Sequence, residues 1–440
     1  MEFECPQGWR LAKLKELGEV NRGRSRHRPR HAAHLYGGPY PFIQTGDVKA
    51  SGGRITSYKQ TYSEAGLEQS RLWPAGTMCI TIAANIAETG VLEFSACFPD
   101  SVIGFIADDK KCDVYFVEYM FRFLKRYLQH EAGDSGTVQD NINLGTLDQL
   151  RFPLPPLSEQ KEISAILCTL DDKIELNRQM SHTLEAMAQA IFKSWFVDFD
   201  PVTAKAAGRK PYGTDDETAT LFPSRLVARE QGLIPEGWNL VSFSTLVEIH
   251  GGGTPKTSVA EYWGGTIPWF SVVDTPSSAD IFVIDTEKKI TNAALENSAA
   301  KLLPMGATII TARGTVGNLA IVGKPMAINQ SCYALTGRDG YGPYFIYFAA
   351  NELIDELCQR THGSVFDTII RSTFDSVLVA APPAQLAERY DRAVSPLLTR
   401  TRNNLEESRT LAMLRDALLP KLLSGDLRIP HAEKIVGEVA

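Results

Sequence analysis

The sequence predicts an α+β protein: two similar globular domains separated by two long, antiparallel, coiled-coil-like helices, with a pseudo-twofold internal repeat. Three observations predict this. Pro6-Gln7-Gly8-Trp9-Arg10-Leu11 returns 229 residues later as Pro235-Glu236-Gly237-Trp238-Asn239-Leu240,. Each half ends in a long segment whose apolar positions alternate by four and three residues, the period of a coiled-coil seam. Between the halves, residues 201–234 hold Pro201, Gly208, Pro211, Gly213, Pro223 and the acidic run Asp215-Asp216-Glu217 with little periodicity, which marks a connecting arm,.

The first domain spans residues 1–157 and the second 235–381. Pro41-Phe42-Ile43 with Asp47 is matched by Pro268-Trp269-Phe270 with Asp274, and Pro74-Ala75-Gly76-Thr77 by Pro304-Met305-Gly306-Ala307. The latter pair each precede an apolar run, Met78 to Ile82 and Thr308 to Thr311, that reads as a buried strand. Gly136-Thr137-Val138 with Asp140 and Ile142 returns as Gly363-Ser364-Val365 with Asp367 and Ile369, and Pro155-Pro156 returns as Pro382-Pro383.

The first helix occupies 158–200, with a seam of Ile163, Leu167, Leu170, Ile174, Asn177, Ser181, Leu184, Ala188, Ile191 and Trp195. The second occupies 382–428 and repeats the seam as Tyr390, Val394, Leu397, Thr401, Asn404, Ser408, Leu411, Arg415, Leu418 and Leu422; residues 429–440 are a tail. Asn177 and Ser181 match Asn404 and Ser408. A polar residue in an apolar seam costs stability but fixes register, because an unpaired amide in the wrong alignment is expensive. Pro396, where the first copy has Thr169, predicts that the second helix begins late or kinks,.

Composition narrows the function. No run approaches the ~20 apolar residues that span a bilayer, and the N-terminus has no basic segment followed by an apolar one. The seven cysteines are scattered without a CxxC pair, so a cytoplasmic protein with reduced thiols is expected. A net charge of −7 argues against indiscriminate nucleic-acid binding,. Any such contact must be local, and one basic patch is visible. Between Glu19 and Asp47 no acidic residue interrupts Arg22, Arg24, Arg26, Arg28 and Arg30.

Catalytic signatures are weak. There is no amino-group clamp or glycine-rich cofactor loop of a methyltransferase. Gly317 to Pro325 misses the phosphate-loop spacing by one residue. Pro99-Asp100 followed by Asp108-Asp109-Lys110 has the residue types of a nuclease centre, but the second half offers no equivalent,.

Pro155-Pro156-Leu157-Ser158-Glu159-Gln160, Leu170-Asp171-Asp172-Lys173-Ile174-Glu175-Leu176-Asn177 and Ala190 to Pro201 resemble the central conserved region of the specificity subunits of type I restriction-modification systems. Leu418 to Gly425 resembles their distal conserved region, and Ile234 to Trp238 the entry to their second target recognition domain. The resemblance implies a non-catalytic subunit with one target recognition domain per half of a split, asymmetric double-stranded DNA site. It also implies that the helices space the two halves, and that two methyltransferase and two motor-nuclease subunits are the partners. S-adenosylmethionine, ATP and magnesium would be used by those partners and none bound by this chain. A helix of about 35 to 40 residues is ~55 Å long, against ~34 Å for a duplex turn.

Base edges present patterned donors and acceptors, so the residues that read them should be Arg, Lys, Asn, Gln or Ser/Thr on loops facing a groove. The first domain offers Arg22, Arg24, Arg26 and Arg28 for phosphates, and Thr45, Asp47, Asn85 and Gln139 for bases. In the second, Gly251-Gly252-Gly253-Thr254-Pro255-Lys256 replaces the arginine loop, with glycines whose N–H groups could approach a phosphate. Thr254, Lys256, Asp274, Arg313, Asn318, Asn329 and Gln330 complete the candidates. A scaffold that binds protein through both domains is the alternative, and the basic loop favours DNA.

Overall fold

The computed structural model describes residues 5–83, 85–133, 144–229, 232–276, 280–359 and 368–437. The repeated stretch around Gly136 and Gly363 lies outside the described residues, and so does the candidate Gln139. The chain divides into two units: Met1–Ile174 with Thr410–Ala440, and Glu175–Arg409.

The first unit contains the strands β1 (Gly18–Arg22), β2 (Arg54–Ile55), β3 (Met78–Thr81), β4 (Thr89–Leu92) and β5 (Val102–Ala107), paired in the order β1-β5-β3-β4-β2. Pairing is antiparallel at Val20 with Phe105, Ile80 with Ile103 and Cys79 with Gly90, and parallel at Ile55 with Leu92. All four residues of β3 are buried because both faces of the sheet are covered. Met78 and Ile80 pack with Phe116, Val117 and Met120 of the helix Val114–Gly133. Cys79 packs on the opposite face with Val48, Trp73 and Phe98. Two-sided burial explains why this strand reads as a near-continuous apolar run.

The second unit repeats the plan. Its strands β6 (Val247–Gly251), β7 (Phe282–Val283), β8 (Thr308–Thr311), β9 (Leu319–Val322) and β10 (Cys332–Gly337) pair in the order β6-β10-β8-β9-β7, again with one parallel edge. The repeat therefore extends to topology and register, although most side chains between the matched anchors differ.

Two 40-residue helices, α1 (Leu157–Phe196) and α2 (Ala384–Leu423), contribute to both units. In the first unit, Ile163, Leu167 and Leu170 of α1 share a core with Leu411, Leu418 and Leu422 of α2. In the second, Asn177 meets Glu407 and Ala188 meets Tyr390, so the segments run antiparallel. Asn177 and its repeat equivalent Asn404 lie at one level, each 1% exposed. Asn404 Nδ2 donates to Ser181 Oγ at 3.2 Å and to the Asn177 carbonyl at 3.4 Å. Asn177 Nδ2 donates to Glu407 at 2.9 Å. Ser408 is half-buried on α2.

Two expectations are corrected. Pro396 neither delays nor ends α2, which runs unbroken from Ala384. One missing N–H costs ~3 kcal/mol, and the burial of Tyr390, Val394 and Leu398 around it exceeds that,. Nor is 201–234 a bare arm. It forms the helices Asp200–Ala206 and Asp216–Leu221 and the hairpin Leu226–Arg229 with Gly232–Pro235. Buried Val202 and Phe222 fasten it to the second unit's core, with Phe222 edge-on to Trp195.

The domains join their helices by different chemistry. In the second unit the junction is aromatic, with Phe192, Trp195 and Phe196 packed against Tyr390, Phe345 and Trp238. In the first, an ion cluster is added to the shared aliphatic core. Asp171 of α1 accepts hydrogen bonds from Tyr119 (2.7 Å), Arg122 (3.2 Å) and Arg415 of α2 (2.6 Å). Burial pushes the Asp171 carboxyl up, but Arg122 and Arg415 outweigh it and hold the group below the ordinary carboxylate range,. Its stabilisation is therefore present above the unfolded-state carboxylate value and lost as pH falls through the lower folded one. Arg415→Met leaves Asp171 short of a counter-charge, and is expected to cost about 3 kcal/mol or more. The thermal midpoint should fall at pH 7, with a gap to wild type that narrows below the carboxylate range; equal midpoints at pH 7 would refute the assignment.

Candidate nucleic-acid interface

At one end of each sheet, three connections converge. In the first unit they are the loop after β1, the turn after β3 and the turn before β5, because Arg22 pairs with Ile103 and Thr81 with Val102. The Ile82 N–H donates to the Ser101 carbonyl at 3.0 Å, which joins the two turns.

The chain leaves β1 in extended form, so alternate residues face opposite sides. Gly23 and Ser25 are buried while Arg22, Arg24 and Arg26 are exposed. Gly23 has no room for a side chain: a Cβ would lie 2.4 Å from the Phe98 carbonyl oxygen. The arginines then divide. Arg22, Arg24 and Arg26 have no side-chain hydrogen bond or ion pair among the described residues. Arg28 turns back and donates from Nη1 to the carbonyls of Ser25 (2.7 Å) and His27 (2.9 Å). Arg30 Nη2 donates to both carboxylate oxygens of Asp100 at 3.0 Å. Further bonds pin the loop, from Ser70 Oγ to the Arg24 carbonyl (2.9 Å) and from the His27 N–H to Gln69 Oε1 (3.0 Å).

The second unit has the same backbone and different side chains. The Gly253 N–H donates to the Ile328 carbonyl at 2.9 Å, as Arg24 does to Phe98 at 3.1 Å. Gly252 is therefore the equivalent of Gly23, and Gln330 of Asp100. The expectation that these glycines offer N–H groups to a phosphate is corrected. Gly252 and Gly253 donate to Cys332 and Ile328 within the fold, and a Cβ at Gly252 would lie 1.8 Å from the Asn329 carbonyl oxygen. Close packing of backbones, not ligand access, requires glycine at 252. Beyond it, the Thr254 hydroxyl donates to Gln330 Oε1. Lys256 and Arg313 are exposed, with no side-chain partner among the described residues. The Ala312 N–H donates to Ser331 at 2.8 Å, which sets Arg313 beside the Gln330 turn.

The other candidates are dispersed. Asn85 sits in the turn after β3, half-buried, and Asn318 ends the matching turn after β8. Asn329 Oδ1 accepts the Ser331 N–H at 3.0 Å. Thr45 opens the helix Thr45–Ala50, whose Val48 packs on the Trp73 side of the sheet. Asp47 caps that helix by accepting the Gln44 N–H at 2.8 Å, and Asp274 does the same for Ser271 at 2.8 Å,. The matched aspartates thus have a local task in the fold. Sequence reading did not find Asp100, Gln69 and Ser70 as holders of the arginine loop. They lie 42 to 70 residues from their partners in the chain, and no local pattern signals them.

The nuclease-like residues do not converge. Asp100 and Asp108 stand at opposite ends of β5, ~20 Å apart at ~3.3 Å per residue,. Burial pushes the thiols of Cys97 up to about 11 and of Cys112 and Cys332 up to about 12, so none is a ready nucleophile near neutrality,.

The model of the type I restriction modification DNA specificity domain matches residues 6–186 and again 235–403. The chain is 26% identical over 371 residues to the HindI type I restriction enzyme specificity subunit of Haemophilus influenzae, covering 73% of this chain and 80% of that protein. It is 24% identical over 438 residues to the MjaIX specificity subunit of Methanocaldococcus jannaschii, covering 97% and 95%. Among solved structures, the S subunit of a type I restriction-modification system from M. genitalium aligns with a TM-score of 0.58 at 14% identity, over 96% of this chain and 98% of that one. That likeness bears on the fold.

The packing of the second loop is directly testable. Gly252→Ala is expected to lower the thermal midpoint by several degrees, a loss of about 1–3 kcal/mol. Gly251→Ala, with open space at its Cβ, should leave it unchanged. Equal behaviour of the two variants would show that the loop does not need the close approach.

Proposed function

Because the chain belongs to the family of type I restriction-modification DNA specificity subunits, we propose that it reads a bipartite, asymmetric double-stranded site and directs adenine methylation or restriction by partner subunits. In this reading the chain holds no catalytic group. Two methyltransferase subunits act on S-adenosylmethionine and two motor-nuclease subunits on ATP and magnesium.

The observation that supports it most is that equivalent ends of the two sheets carry different polar loops. Arg22, Arg24 and Arg26 stand in one unit, and Thr254, Lys256, Arg313 and Gln330 in the other. Free guanidinium and ammonium groups displace counterions from phosphates, and an Arg among them can read base edges. Different loops on one scaffold suit two different half-sites. The overall charge of −7 confines binding to such ends. We assign Asn177, Ser181, Asn404 and Ser408 to the register of the helix pair, on the strength of the Asn404 to Ser181 bond.

A mobility-shift titration with the methyltransferase complex tests the reading. The wild-type complex is expected to prefer one split sequence, with affinity that falls steeply with salt. Arg24→Ala with Arg26→Ala should weaken binding to all duplexes and reduce the salt slope by about two. A complex with no salt-sensitive preference for any duplex would sink the reading. Replacing residues 235–381 by another member's second domain should change one half of the methylated motif, and a change in both halves would refute independent reading.

A further inference from the structure

The equivalence of Asp100 and Gln330 has a chemical content that the repeat alone does not reveal. Both side chains project from the turn before the last strand of the sheet, and both reach across to the loop that leaves the first strand. Asp100 takes both carboxylate contacts from Arg30 Nη2 at 3.0 Å. Gln330 accepts from the Thr254 hydroxyl. One position thus clamps the candidate reading loop in each unit, by an ion pair in one and a neutral hydrogen bond in the other.

We propose that the residue at this position, Asp100 in the first unit and Gln330 in the second, is a positioning residue that sets the reading loop and thereby the base discrimination of its own half-site. The proposal rests on the DNA reading above.

Three features argue for a positioning role rather than one in stability or phosphate contact. First, the Arg30 and Asp100 side chains are 44% and 43% exposed, and such surface pairs contribute little to folding,. Second, backbone bonds from Gly23 and Arg24 fix only the start of the loop, and from there to Arg30 it is held by side chains: Ser70, Gln69 and Asp100, together with the Tyr36 hydroxyl on the Arg30 carbonyl at 2.9 Å. A loop set before binding gives up less conformational freedom on the duplex. Third, a carboxylate beside a phosphate-binding loop opposes binding by its charge, so its presence needs another reason. Asp100 neutralises Arg30, while Arg22, Arg24 and Arg26 have no side-chain partner among the described residues.

The clamp also separates affinity from discrimination. Removing Asp100 takes away one negative charge and frees Arg30, so attraction to any duplex is kept or raised. What is lost is the fixed path of the loop, and with it the alignment of side chains to base edges.

Asp100→Ala, Asp100→Glu and Gln330→Ala in the full chain, assembled with its methyltransferase partner, test this by selection from a pool of 40-base-pair duplexes of random sequence. Wild type should enrich one split motif. Asp100→Ala should lower discrimination against single mismatches about threefold in one half of that motif, leave the other half unchanged, and bind the unselected pool at least as well as wild type. Gln330→Ala should do the same to the opposite half, and Asp100→Glu should restore most of the discrimination. Thermal midpoints of all three should stay within a few degrees of wild type. If wild type enriches a motif and Asp100→Ala reads it equally well, or if both halves degrade together, the clamp is refuted while the DNA reading stands. If wild type enriches nothing, both fall.

Discussion

Neither globular unit is completed by its own half of the sequence, and this closure across the chain is the constraint on which the fold depends. The core under the first sheet includes Ile163, Leu167 and Leu170 from α1, and it is finished by Leu411, Leu418, Leu419 and Leu422 from α2. At ~1.5–3 kcal/mol for each fully buried large side chain, four leucines supply as much as the whole net stability of an ordinary domain. The second core likewise needs Ala188 and Phe192 beside Tyr390, Val394 and Leu398. A chain lacking α2 would leave both apolar surfaces open.

The polar level of the helix pair takes its meaning from this arrangement. In an antiparallel pair of repeated helices, one level brings a residue against its own counterpart, and here it holds Asn177 and Asn404. Both amides are buried, and the Oδ1 atoms have no hydrogen-bond partner among the described residues. That is costly in an apolar seam. A slip by one turn would part Asn177 from Asn404 and lose the bond to the Asn177 carbonyl, which fits the register role proposed for this level.

Much of this was legible because it is periodic or local. The seam follows from spacing, the strands from apolar runs bounded by Pro-Gly turns, and the paired domains from a repeat whose anchors, Trp9 and Trp238 among them, recur in order. Helix continuity through Pro396 was not legible, since propensity is local and the burial that overrides it is not. The ordered arm was missed for the same reason. Its anchors, Val202 and Phe222, are single apolar residues in a polar stretch.

By itself the sequence determined the repeat, the heptad seam with its asparagines, and an arginine loop facing a glycine loop at matched positions. These are properties of order along the chain, and they survive without coordinates. Only the tertiary structure decided what the loop residues do. It divided five similar arginines into three open ones, one bonded to its own loop and one held by Asp100. It also turned Gly252 and Gly253 from part of a possible anion cradle into a place where backbones touch. The reason is physical: a side chain's task is set by which groups lie within ~3 Å of it, and for Arg30 and Thr254 those groups come from turns 70 and 76 residues away in the chain.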